Sequence, residues 1–198
     1  MLDELRRRIT AHTPLEVNSE QGLPEAAVLL PITRSEELVL TLRATGLSTH
    51  SGEVAFPGGR RDPDDVDLIH TALREAEEEI ALPPSLVDVV GPLSDLVSRH
   101  GIKVTPFVGL VPDFVEYKPN DGEIAAVFKV PLEFFRGDPR EMTHRIDYFG
   151  RSWYVPSYRF GEYKIWGLSA IMVVELVNLL FDDHIDLHQA PPQFIKLS

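Results

Sequence analysis

The apolar and polar residues of this chain change rhythm several times, and each change predicts an element. Ala26-Ala27-Val28-Leu29-Leu30-Pro31-Ile32 is an almost unbroken apolar run, the pattern of a strand covered on both faces. Glu37 to Leu42 reads as the next strand, with Thr33-Arg34-Ser35-Glu36 as the turn between them. Val54 to Phe56 is a short strand that runs into Pro57-Gly58-Gly59, where a sharp turn is expected. From Asp67 the period becomes helical. Leu68, Ala72, Leu73 and Ala76 line one side, and the acidic residues of the segment fall on the other. That predicts a helix over 67–79, ended by Pro83-Pro84.

Strands are predicted over 87–93, 96–99, 104–111 and 124–130, and the aromatic residues of 148–158 suit a hairpin. A second long helix is predicted over 169–180, with Ile171, Val174, Leu176, Val177 and Leu180 mostly inward. Leu2, Leu5 and Ile9 give a short helix, and Pro14 and Pro24 break up what surrounds it. Residues 1–25 therefore read as a peripheral helix and a loose arm. Residues 26–181 read as one domain, and 182–198, with two prolines, as a surface tail. Strands around two long helices predict an α/β fold with a mixed sheet between helices.

Bulk properties narrow the function. A chain of 198 residues is long enough for one well-cored domain. The net charge of −12 argues against nucleic acid as a partner, which needs a basic footprint. A small polyphosphate remains compatible, because a bound divalent cation supplies local positive charge. No apolar run reaches the roughly 18 residues that would span a membrane; the stretch from Leu168 to Phe181 is interrupted by Glu175 and Asn178. Without cysteine there is neither a disulfide nor a thiolate metal site. Met1-Leu2-Asp3-Glu4-Leu5-Arg6 carries charges where a signal peptide needs an apolar core, which favours a cytoplasmic location.

The densest chemistry lies in Arg74-Glu75-Ala76-Glu77-Glu78-Glu79-Ile80-Ala81-Leu82. On a helix Glu75, Glu78 and Glu79 stand at i, i+3 and i+4, so three like charges share one face. A solvated acidic face is the usual fate of such a run and suffices for Glu77. For the other three, a hard divalent cation between the carboxylates relieves the repulsion, and all-oxygen ligands suit Mg²⁺ or Mn²⁺ better than zinc.

Together with Gly58-Gly59 upstream, this segment resembles the signature of the Nudix hydrolases, G-x5-E-x7-R-E-U-x-E-E-x-G-U with U apolar. Arg74, Glu75, Ala76, Glu78, Glu79 and Leu82 match. Ala81 stands in place of the last glycine, the stretch from Gly59 to Arg74 is one residue longer, and the early glutamate is absent, with Asp65 the nearest carboxylate. The upstream residues Val39-Leu40-Thr41-Leu42-Arg43-Ala44, His50-Ser51-Gly52-Glu53-Val54-Ala55-Phe56-Pro57-Gly58-Gly59 and Asp62-Pro63-Asp64-Asp65 are similar to the motif of the coenzyme A pyrophosphatase subfamily, in which Asp-Pro-x-Asp accounts for the extra residue. The motif's second arginine falls on Ser48.

The resemblance covers about residues 26 to 181. It implies an α/β/α sandwich and metal-dependent hydrolysis of coenzyme A to 4′-phosphopantetheine and adenosine 3′,5′-bisphosphate. The alternatives are a related enzyme for ADP-ribose or NADH, which Ser48 keeps open, and a non-catalytic nucleotide sensor, which the retained acids argue against. A homodimer is compatible with the family. The expected metal site is Glu75, Glu78 and Glu79 with a carbonyl from Gly59, and Arg74 is expected to orient a glutamate through a bidentate pair. Glu78 and Glu123 are the candidates for general base, and Arg43, Arg60, Arg61 and Lys103 for substrate phosphates. Arg99, His50 and His100 are weaker candidates. Trp166, Phe56 and Phe107 read as core, and Trp153 and Tyr154 as packing that an adenine could use.

Overall fold

The computed structural model of the chain describes residues 1–18, 22–45, 52–148 and 150–191. Helix α1 (Leu2–Ala11) is followed by strands β1 (Glu25–Thr33), β2 (Glu37–Arg43), β3 (Val54–Ala55) and β4 (Gly58–Arg60). Helix α2 (Leu68–Ile80) leads to β5 (Asp88–Pro92), β6 (Leu96–Val97), β7 (Lys103–Val111) and β8 (Ile124–Pro131). Strands β9 (Met142–Tyr148), β10 (Arg151–Phe160) and β11 (Tyr163–Ile165) precede the last helix, α3 (Gly167–Phe181).

Strands β1 to β8 form one mixed, eight-stranded sheet and β9 to β11 a second, antiparallel one. In the large sheet β1 pairs in parallel with β7, from Glu25 opposite Lys103 to Thr33 opposite Val111. Its other neighbours, β2 and β4, run antiparallel to it, and β2 carries β8 and β3. The apolar run of β1 serves both faces. Ala27 and Leu29 join Val39, Phe107 and the α2 residues Ala72, Ala76 and Ile80. Ala26, Leu30 and Ile32 join α1 and α3 on the other face. Strand period and helix placement thus agree in an α/β sandwich.

Several expectations change. Leu5 and Ile9 of α1 are buried in the core beside α3, so this helix is not peripheral. Gly58-Gly59 does not make the sharp turn expected of it. It continues as β4, with Gly58 opposite Val28 and Gly59 opposite Ala27. The hairpin lies across residues 142–160, so the expected span of 148–158 covers mainly its second strand. Trp166 is 38% exposed rather than core, whereas Phe56 and Phe107 are buried as expected. No helix of the described residues is long and apolar enough to cross a membrane.

Candidate active site

Helix α2 is held at both ends. Asp67 caps its start by accepting a hydrogen bond from the His70 N–H at 2.7 Å. Its last residues are met from outside, where Lys118 N–H donates to the Ile80 carbonyl at 3.0 Å and Asn120 N–H to the Glu79 carbonyl at 2.8 Å. The loop before β8 therefore satisfies carbonyls that a helix end leaves unpaired. It also brings in Glu123, whose carbonyl accepts from Ala44 N–H at 2.7 Å. Ala81 closes the helix with φ 54°, in the left-handed region. The signature has a glycine here because only glycine adopts that conformation without a Cβ penalty.

Glu79 is 3% exposed and Glu75 is half-buried, so only Glu77 and Glu78 stand on the solvent side of the helix. Its Oε2 accepts from Gly58 N–H at 3.1 Å and its Oε1 from Arg43 Nη1 at 3.2 Å. Burial, above all, pushes its carboxyl up to about 7; the Gly58 and Arg43 contacts oppose that shift, and the charges of Glu75 and Glu123 add to it. Burial likewise raises Glu75. Glu75 packs directly on β4, and a Cβ on Gly59 would lie 2.4 Å from its Oε1. Gly59 thus leaves room for the Glu75 carboxylate where it now lies, whereas Gly58, whose Cβ would lie 2.4 Å from the Ala27 carbonyl, is required by the backbone of the neighbouring strand.

Arg74 makes its bidentate pair with Asp65 rather than with a glutamate. Nε donates to Oδ1 and Nη2 to Oδ2, both at 3.0 Å. Asp65 is 4% exposed and also accepts from Asp62 N–H at 2.9 Å and Thr71 Oγ1 at 2.8 Å. The Arg74 guanidinium, before any other contact, holds its carboxyl far below the usual carboxylate range. The longer stretch after Gly59 turns back between Asp62 and Asp65 and delivers this acid under the arginine. Nη1 of Arg74 meanwhile reaches Glu75 at 3.1 Å and Glu78 at 3.3 Å. The Asp-Pro-x-Asp segment carried the only sequence sign of this role.

Arg43, Gly59, Arg74, Glu75, Glu78 and Glu79 thus meet in one place, and Glu123 is near enough for its charge to act on Glu75 and Glu79. Arg61 and Lys103 do not join them. Both bind the Glu25 carboxylate, at 3.0 and 2.8 Å, so that one acid at the start of β1 holds the two cations together. Arg60 is exposed, and its carbonyl accepts from Arg74 Nη2 at 3.1 Å. Arg99 and His100 are exposed, and Trp153 lies against His188, ring centroids 4.4 Å apart. Ser48 and His50 fall outside the described residues.

Among the described residues no three acids or histidines are gathered into a formed metal cluster. Arginines meet the carboxylates instead, Arg43 on Glu79 and Arg74 on Glu75 and Glu78. The donor set still fits a hard divalent cation. It is all oxygen, partly desolvated, and backed by a backbone that glycine brings close.

A family model for the Nudix domain matches residues 23–151. The chain is 38% identical over 194 residues to "Nudix hydrolase 15, mitochondrial" of Arabidopsis thaliana, across 92% of this chain and 66% of that protein. It is 41% identical over 191 residues to the "Uncharacterized Nudix hydrolase NudL" of Yersinia enterocolitica, across 89% of this chain and 92% of that one. Among solved structures, a Nudix hydrolase from M. smegmatis, RenU, aligns at a TM-score of 0.47 with 25% identity, over 59% of this chain and 79% of that chain. Nudix hydrolases generally use divalent metal ions, in keeping with the oxygen donors on α2. The domain match spans well over half the chain and the relatives share more than a third of its residues, so the chain belongs to the Nudix hydrolase family.

Proposed function

We propose that the protein is a Mg²⁺- or Mn²⁺-dependent pyrophosphatase that cleaves the diphosphate of coenzyme A. The observation that carries this reading is the packing of Glu75 and Glu79 against Gly58-Gly59, with Arg43 on Glu79. Water adds to one phosphorus of the anhydride, the bridging P–O bond breaks, and each product keeps one of the two anhydride phosphates. The adenosine product retains its 3′-phosphate as well, and the proton lost by the water goes to a general base. A bound metal would neutralise phosphate charge and supply the Lewis acidity that activates the water. Glu75, Glu78 and Glu79 would hold it, with the Gly59 carbonyl beside them. Arg74 keeps Glu75 and Glu78 oriented while Asp65 anchors Arg74 from below. Glu78, with its side chain 58% exposed, and Glu123 are the candidates for taking the proton of the water on this reading.

Support for coenzyme A comes from the motif around Arg43 and residues 52–65. Arg61 and Lys103 are engaged with Glu25, so Arg43 and Arg60 are the first candidates for the phosphates on this reading. Ser48, standing where the motif has an arginine, favours ADP-ribose or NADH as the second reading. Specificity constants for coenzyme A, dephospho-coenzyme A, ADP-ribose and NADH, each with Mg²⁺ and with Mn²⁺, test it. A charge-assisted contact to the 3′-phosphate predicts about a ten- to hundredfold preference for coenzyme A over dephospho-coenzyme A. Equal constants for that pair, or faster ADP-ribose hydrolysis, contradict the substrate.

A further inference from the structure

Arg43 holds an atom that the chemistry so far leaves unexplained. Its Nε is buried without a hydrogen-bond partner, although its Nη1 rests on Glu79 Oε1 at 3.2 Å. A buried, unpaired donor on a cation is unfavourable and points to a partner that arrives later. The backbone around it is fixed. Arg43 N–H donates to the Glu53 carbonyl at 2.9 Å, Ala44 N–H to Glu123, and the pairing with β8 shifts register between Leu42 and Arg43. Such an irregularity re-aims a side chain, here toward the acids. On Glu79 the Gly58 N–H fixes Oε2. Oε1 is therefore the oxygen a cation can take, and it is the one Arg43 covers.

We infer that Arg43 is an exchangeable counter-ion. It sits on Glu79 while the metal is absent, yields that oxygen when the metal binds, and then turns its donors, Nε included, to a substrate phosphate oxygen. The inference rests on the metal-dependent reading above. It makes metal and phosphate binding reciprocally coupled through one side chain, since whatever occupies Glu79 frees the group that holds the anion. It also keeps the acids from repelling one another when the site lacks metal.

Calorimetric titration of Mn²⁺ into the nucleotide-free protein tests the exchange without any turnover. The wild type is compared with Arg43→Gln, with Arg43→Met as the second variant should the first not fold, and with Lys129→Gln, which removes a charge that pairs with Glu37 instead. With the competitor gone, the Arg43 variant binds Mn²⁺ about five- to tenfold more tightly, and Lys129→Gln changes little. The metal-loaded Arg43 variant also binds inorganic phosphate about tenfold more weakly than the wild type. Equal or weaker Mn²⁺ binding in the Arg43 variant overturns the exchange, since Arg43 would then be holding Glu79 in place for the metal. Equal tightening by Lys129→Gln overturns it too, as an effect of net charge. If the wild type binds Mn²⁺ and hydrolyses its substrate while either of these results is found, only the exchange fails. If no variant binds metal, the metal-dependent reading fails with it.

Discussion

Glu79 carries two properties that a surface glutamate lacks: it is almost wholly buried, and its carboxyl titrates near neutrality. Its folded value of about 7 lies above the unfolded 4.5. Its contribution to metal-free stability is therefore full below pH 4.5 and lost as the pH rises through about 7. Denaturation of the metal-free protein between pH 5 and 8 should show this loss, on the order of 2–3 kcal/mol, and Glu79→Gln should flatten it. The same variant should fold yet retain less than about a hundredth of the turnover, because a neutral amide is a poor ligand for a hard cation. A folded Glu79→Gln protein with near-normal turnover contradicts the site. Asp65 behaves oppositely, as its depressed carboxyl stabilises the fold above the usual carboxylate range and loses that effect in acid. Asp65→Asn leaves Arg74 without its bidentate partner and should destabilise by about 2–3 kcal/mol, read from the shift in denaturant midpoint. The residue types of the site were legible from their spacing, but their pairing was not. Asp65 keeps the pattern's distance from Gly59 but stands one residue too far from Arg74, and only the turn between Asp62 and Asp65 shows why it lies under Arg74.

Among the elements, α2 was the most legible, because an apolar period, a capping aspartate and a following Pro-Pro all mark it. Its bounds of 68–80 differ from the expected 67–79 by one residue at each end. What the period could not show is that the helix leans on β4 closely enough to bury Glu79, which belongs by charge to one face and by contact to the other. Strand β4 escaped for a related reason. Two glycines read as a turn, but here Gly58 lets β4 run close against β1 and Gly59 leaves room for the Glu75 carboxylate. Strand β9 escaped because Thr143-His144-Arg145-Ile146-Asp147 is too polar to announce a strand without its partner. Ala81 offers a test at this scale. It is exposed, and its φ of 54° penalises a Cβ, so Ala81→Gly relieves strain worth about 1–2 kcal/mol. The glycine loosens the unfolded chain by somewhat less, leaving a net stabilisation of about 0.5–1 kcal/mol in denaturant melts. A loss of stability on that substitution contradicts the helix-end geometry.

Across the whole molecule, the sandwich places α2 on one face of the sheet and α1 with α3 on the other. The N-terminal helix was underrated because three apolar residues in a polar stretch look marginal alone, and only α3 and β5 give Leu5 and Ile9 something to cover. A chain of net charge −12 that clusters acids on α2 should gain stability from a cation that binds only the native state. At a metal concentration 100 times its Kd the gain is about 2.7 kcal/mol, or about 5–10 °C in melting temperature for a chain of this size. No shift at millimolar Mg²⁺ or Mn²⁺ contradicts it, and an effect from zinc alone points to other ligands. The most direct test of the account follows the products. Coenzyme A is incubated with Mg²⁺ and either the wild type or Glu79→Gln, and the products are identified by mass. The account predicts equal amounts of 4′-phosphopantetheine and adenosine 3′,5′-bisphosphate from the wild type, and none above background from the variant. Intact coenzyme A with the metal-loaded wild type, cleavage at any other bond, or the same two products at equal rates from both proteins would contradict it.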